Sequence, residues 1–203
     1  MAISPQDYSM KVWPFYLRLE RDFIITLNYA SFSDDNGLTY SIEYEREILS
    51  ICSEFDILCK YLCKELDPAA NPRKIYEYYP ILSQIEGFME SKVQSESFAR
   101  VVEPFTGWNM KDSPDWWTSY NKIKHDRIKN DNYKLGNQGN AFMALTGLYA
   151  INRHYAKYVF KGQQLNEPIP HSQLYVMADW PIHIPIGGGY MKEIHPDGGF
   201  SIC

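Results

Sequence analysis

Apolar positions along this chain recur mostly in steps of three and four. Tyr16, Leu19, Phe23, Leu27 and Ala30 mark a first helix that begins near Pro14, a residue suited to an opening helical turn. The segment SDDNG, Ser33 to Gly37, reads as a turn. The clearest element follows, where Ile48, Cys52, Phe55, Cys59, Leu62 and Leu66 are spaced 4, 3, 4, 3, 4. Such a seam packs against neighbouring helices at a shallow angle. It should stop before Pro68, because the residue preceding a proline is pushed out of the α region. Asn71-Pro72 predicts a cap and first turn. The helix IYEYYPILSQIEGFM comes next, bent or split by Pro80.

From Glu90 to Asp112 no clean period is visible. That stretch holds Pro104, Phe105, Gly107 and Trp108, which predicts a long loop anchored by aromatics. Ser113-Pro114-Asp115 then predicts a helix start, with serine as cap, proline in the first position and an acid at the positive helix end. In the helix WWTSYNKIKHDRIK, the residues Trp116, Tyr120 and Ile123 share the core face. A polar break from Asn130 to Gly139 separates it from a last helix, Asn140 to Phe160, whose period is carried by Phe142, Leu145, Tyr149, Tyr155 and Val159. Beyond Gly162 the pattern changes to prolines, a glycine run at Gly187 to Gly189, and two short β-like stretches, QLYVM and IHIPI. The expectation is an all-α fold. An up-and-down helical bundle spans residues 1–161, and a mostly irregular Pro/Gly-rich tail, 162–203, packs on it with room for a short β-hairpin.

Composition narrows this picture only slightly. The 203 residues are 45% hydrophobic and 22% charged, so the chain can build a core without a disulfide or a metal. Cys52, Cys59 and Cys63 share one helical face, a poor layout for disulfides, and read as small core residues. With Cys203 that makes four cysteines, no signal-peptide pattern at the N-terminus, and an expected reducing, cytoplasmic setting. No apolar run approaches the ~18 residues of a membrane span, so no membrane association is expected.

Charge is more informative. The formal net charge of -5 argues against a protein that coats nucleic acid with its whole surface. Residues 120–134 are the exception, with Lys122, Lys124, Arg127, Lys129 and Lys134 against Asp126 and Asp131, a local +3. Asn121 and His125 stand four apart on the same helix and hence on one face. A histidine among cations can act as a base, and the cations can hold a phosphate. The plain alternative is a solvated basic face in which Asn121 bonds His125. Elsewhere the signals are weak. His171, His183 and His195 recur every twelve residues without a carboxylate pattern, and Gly187 to Gly189 lack the GK[ST] of a phosphate loop. No metal or cofactor is expected.

The segment WWTSYNKIKHDR, with the long helix NQGNAFMALTGLYAINRHY after it, resembles the HEPN superfamily of helical domains. That family carries an Arg, a polar residue, a short spacer and a His on one helix of an up-and-down bundle. In YNKIKH, Asn121 takes the polar place, His125 the His place, and Tyr120 stands where the family has Arg. The resemblance implies association with RNA or a nucleotide, and metal-independent endoribonuclease activity that is weak or absent without that Arg. It further implies a homodimer whose motifs face each other across a cleft, and an antitoxin-like partner. Tyr120, Asn121 and His125 would then be the catalytic positions, with Lys122, Lys124, Arg127 and Lys129 binding phosphate. The competing reading is a non-catalytic helical dimerisation or interaction module.

Overall fold

The structure, a computed structural model, describes residues 3–161, 168–187 and 190–202. It is mostly helical. A helical turn (α1, Pro5–Asp7) runs through a π-helical turn at Tyr8–Val12 into α2 (Trp13–Thr26). Then come α3 (Ile42–Leu66), α4 (Ile75–Leu82), α5 (Asp115–Asp126) and α6 (Gln138–Val159). Side-chain pairs fix the helix directions. Tyr16 meets the ring of Tyr149 and Phe23 that of Phe142, so α2 runs antiparallel to α6. Tyr44 meets Gln138 and Tyr61 meets Tyr155, so α3 runs parallel to α6. Trp116 packs on Phe55 while Arg127 reaches Glu45, so α5 runs antiparallel to α3. Four helices thus alternate up and down, as expected.

The seam of α3 is the core. Ile48, Cys52, Phe55, Cys59 and Leu62 are fully buried, and burial pushes the Cys52 and Cys59 thiols well above their ordinary range. The helix ends at Leu66, one residue short of the one preceding Pro68. Around Phe55 stand Phe105, Trp108, Trp116 and Trp117, with ring centroids 5.0 to 6.1 Å away. The indole N–H of Trp116 donates to the Pro104 carbonyl (2.7 Å) and that of Trp108 to the Ile75 carbonyl (3.2 Å). These aromatics pin the long α4–α5 connection, as expected. Gly147 allows α6 to approach α5 closely, because a Cβ there would lie 2.8 Å from the Trp116 ring.

Several local expectations are corrected. The helix after Pro68 starts at Ile75, not Asn71, because the Glu77 carboxylate accepts the Arg73 and Lys74 N–H groups and fixes the start there. Ser113 is not the cap of α5, since Pro114 holds that position and the Ser113 hydroxyl bonds the Thr118 hydroxyl instead. Helix α5 stops at Asp126 rather than near Lys129, and α6 begins at Gln138, capped by the Asn137 side chain at the Asn140 N–H. The stretch expected to be all loop contains β1 (Val93–Ser95) and β2 (Arg100–Val102). They join β3 (Val176–Met177) in an antiparallel sheet ordered β2-β1-β3.

The C-terminal region is more regular than composition suggests. Besides β3, it forms an antiparallel meander of β4 (Ile182–Gly187), β5 (Tyr190–Ile194) and β6 (Phe200–Ile202), so the hairpin gains a third strand. Gly188, Gly189 and Cys203 lie outside the described residues. The segment before the meander is held on the bundle by a buried carboxylate. Glu20 of α2 accepts from the Tyr16 hydroxyl (2.7 Å), the Gln173 N–H (3.0 Å), the Leu174 N–H (3.3 Å) and the Ser172 hydroxyl. The Trp13 indole N–H adds a bond to the Pro170 carbonyl (2.7 Å). Among the described residues no helix is long and apolar enough to cross a membrane.

Candidate functional site

Helix α5 presents two different faces, because residues in a helix turn by about 100° each. Tyr120 lies on the inner one. It is 5% exposed, with its ring 4.9 Å from that of Trp117. The Lys124 ammonium folds back over this ring (5.2 Å) and donates to the Tyr120 hydroxyl (3.0 Å), and that hydrogen bond raises the Lys124 pKa. Asn121 and His125 lie on the outer face, half-buried and exposed respectively. They make no hydrogen bond to each other, and neither side chain has a hydrogen-bond or ion-pair partner among the described residues. His154 is the contrast, buried on α6 against Ser91 (Nε2 to Oγ, 2.9 Å) and Phe88, with burial pushing it down to about 3, so it stays neutral.

The cations divide in the same way. Arg127 is paired with Glu45 of α3 at 2.7 Å, and the Glu45 side chain is buried. That bridge ties the end of α5 to the start of α3. Gly136 makes the approach possible, since a Cβ there would stand 2.2 Å from the Glu45 side chain and 3.0 Å from its backbone. Lys122 and Lys129 are exposed, and their ammonium groups have no partner among the described residues. They line an open hollow of about 590 Å³ together with Asp126, Asn130, Asp131, Asn132, Lys134 and Leu135.

The hollow owes its shape to the break after α5. Lys129–Leu135 form a 3-10 turn in which Asn130 and Asp131 both take left-handed backbone angles, φ 53° and 58°. Asn and Asp are the non-glycine residues that enter this region at least cost. The turn is closed by the Tyr133 N–H on the Arg127 carbonyl (2.9 Å) and the Asn132 amide on the Asp126 carbonyl (3.0 Å). Lys134 pairs with Asp131 at 2.8 Å. The structure therefore brings Lys122 and Lys129 to one hollow, while Asn121 and His125 lie on the outer face of α5 and are not among the residues that line it. It draws Tyr120, Lys124 and Arg127 into internal contacts. Sequence reasoning gave Asn130, Asn132 and Leu135 no part in the site, although the run KNDNYK is rich in turn formers. No family model, no curated protein and no solved structure matches this chain.

Proposed function

We propose that this is a HEPN-like helical protein that binds the phosphates of RNA or a nucleotide at the outer end of α5, with little or no cleavage. One observation carries the reading: two lysines with no partner among the described residues, Lys122 and Lys129, line a hollow at the end of the helix that also carries the exposed His125. Of the two aspartates there, Asp131 is already occupied by Lys134, which leaves the hollow positive. Lysine can hold a phosphate as a point charge, and in this reading His125 would exchange protons with a bound ligand. Cleavage would need a further positive charge to steady the phosphorane, usually a large part of the catalytic effect. Tyr120 carries no such charge, and it lies in the core rather than beside His125. Arg127 is held by Glu45, so a second copy of the chain would have to supply the charge. The homodimer belongs to this proposal.

The test is a salt titration of RNA binding. Each lysine that meets a phosphate releases counterions, so affinity should fall with salt, and Lys122→Gln with Lys129→Gln should flatten that dependence. His125→Ala should abolish any residual cleavage in EDTA while leaving the unfolding midpoint in place. Absence of binding to RNA and to nucleotide at low salt would refute the proposal. In that case the competing reading, an interaction module, would gain from the exposed apolar side chains Leu38, Ile42 and Ile128 at the same end of the bundle.

A further inference from the structure

A pair of tyrosines meets at the turn that forms the lysine-lined hollow. Tyr40, in the connection between α2 and α3, is 48% exposed. Its ring meets that of Tyr133 edge-on, with centroids 5.7 Å apart. An isolated β-bridge between Tyr40 and Asn137 fixes the backbone there, and the Ser41 N–H donates to the Gly136 carbonyl (3.1 Å). Tyr133 belongs to the turn that forms the hollow, and Lys134 joins the two features. Lys134 is one of the residues lining the hollow, and its ammonium sits 5.8 Å from the centre of the Tyr133 ring. Asp131 chiefly, then Tyr133 and Tyr40, hold the Lys134 pKa above its ordinary value, which places both phenols within electrostatic reach of that ammonium.

Packing explains Tyr133, which is half-buried, better than it explains Tyr40. A tyrosine that only braced a turn would gain from burying its ring, whereas Tyr40 keeps about half of its surface in water. Every nucleobase has a π-face, and an aromatic ring beside a cationic groove is the arrangement by which proteins hold unpaired strands. We infer that Tyr40, braced edge-on by Tyr133, is a base-stacking subsite for an unpaired nucleotide whose phosphates lie along Lys122 and Lys129. The inference rests on the phosphate-binding reading above and adds the requirement that the base be free to stack. A duplex hides its bases and cannot meet it.

The experiment uses the full chain and three probes at low salt: a single-stranded oligouridylate of about 10 nucleotides, a duplex of equal charge, and inorganic polyphosphate. The single strand should bind more tightly than the duplex. Tyr40→Ala should weaken the single strand about 5- to 100-fold, the loss of one stacked base, without moving the other two probes. Tyr40→Phe, which keeps the ring, should bind as wild type does, and it guards against a folding defect in the alanine variant. Lys122→Gln and Lys129→Gln should weaken all three probes. If the lysine variants lose affinity while Tyr40→Ala holds the single strand as wild type does, the stacking inference falls and the phosphate reading stands. If no probe binds, both fall.

Discussion

Glu47 makes the sharpest test of the folded core. It lies on α3, only 2% exposed, and its Oε2 has no hydrogen-bond partner among the described residues. Burial chiefly, then the charges of Asp22 and Glu43, push its pKa from 4.5 up to about 8, against the opposing pull of Arg46. The folded state therefore prefers the neutral acid. A raised carboxyl pKa contributes stability that is complete below 4.5 and disappears as pH rises to about 8. At about 1.4 kcal/mol per tenfold change in proton affinity, the loss is on the order of 4 kcal/mol. Glu47→Gln removes the titration while keeping the shape. Its amide must also find partners, a cost of about 1–3 kcal/mol that does not vary with pH. The informative quantity is thus the difference between the two pH profiles, measured by urea unfolding between about pH 5 and pH 9, where groups common to both proteins cancel. The variant should gain on wild type by at least about 2 kcal/mol across that range. Asp22→Asn should reduce the gain, because it removes one of the charges acting on Glu47. Profiles that run parallel to within about 0.5 kcal/mol would refute the burial argument.

The other predictions concern packing and the motif. Glu20→Ala strands the donors of Tyr16, Ser172, Gln173 and Leu174. It should cost about 2–4 kcal/mol in chemical denaturation and speed proteolysis after residue 168, and a loss below about 1 kcal/mol would contradict its role in docking the C-terminal segment. Leu62→Ala, in the fully buried seam, should cost about 2–5 kcal/mol through lost transfer energy and a cavity, read from the urea midpoint. Tyr120→Arg installs the arginine that the proposed HEPN likeness would place there but buries a cation against Trp117 and beside Lys124. It should destabilise by about 2 kcal/mol or more and leave RNA binding no stronger; a stable variant that cleaves RNA would overturn the placement of Tyr120 in the core.

Local pattern determined much of this molecule. The spacing of Ile48, Cys52, Phe55, Cys59 and Leu62 alone predicts α3 and its buried face, because a period of 3.6 leaves few other ways to hide those side chains. Pro68 predicts where α3 stops, and the same reasoning puts Trp116, Tyr120 and Ile123 on the core face of α5, where the structure has them. That placement already stood in tension with a catalytic Tyr120, since one side chain cannot both fill a core and face a ligand. What local pattern could not show was which polar groups meet across the fold. Arg127 and Glu45 are far apart in sequence and have no shared period, yet their bridge decides that Arg127 is structural. Glu20 finds the Ser172 region more than 150 residues away. The hollow beside α5 exists because the left-handed turn at Asn130 and Asp131 bends the chain back, while Gly136 lets it lie against Glu45. Periodicity records what each element hides from water; the directional pairing of charges and hydrogen bonds is settled only when helices distant in sequence come to lie side by side.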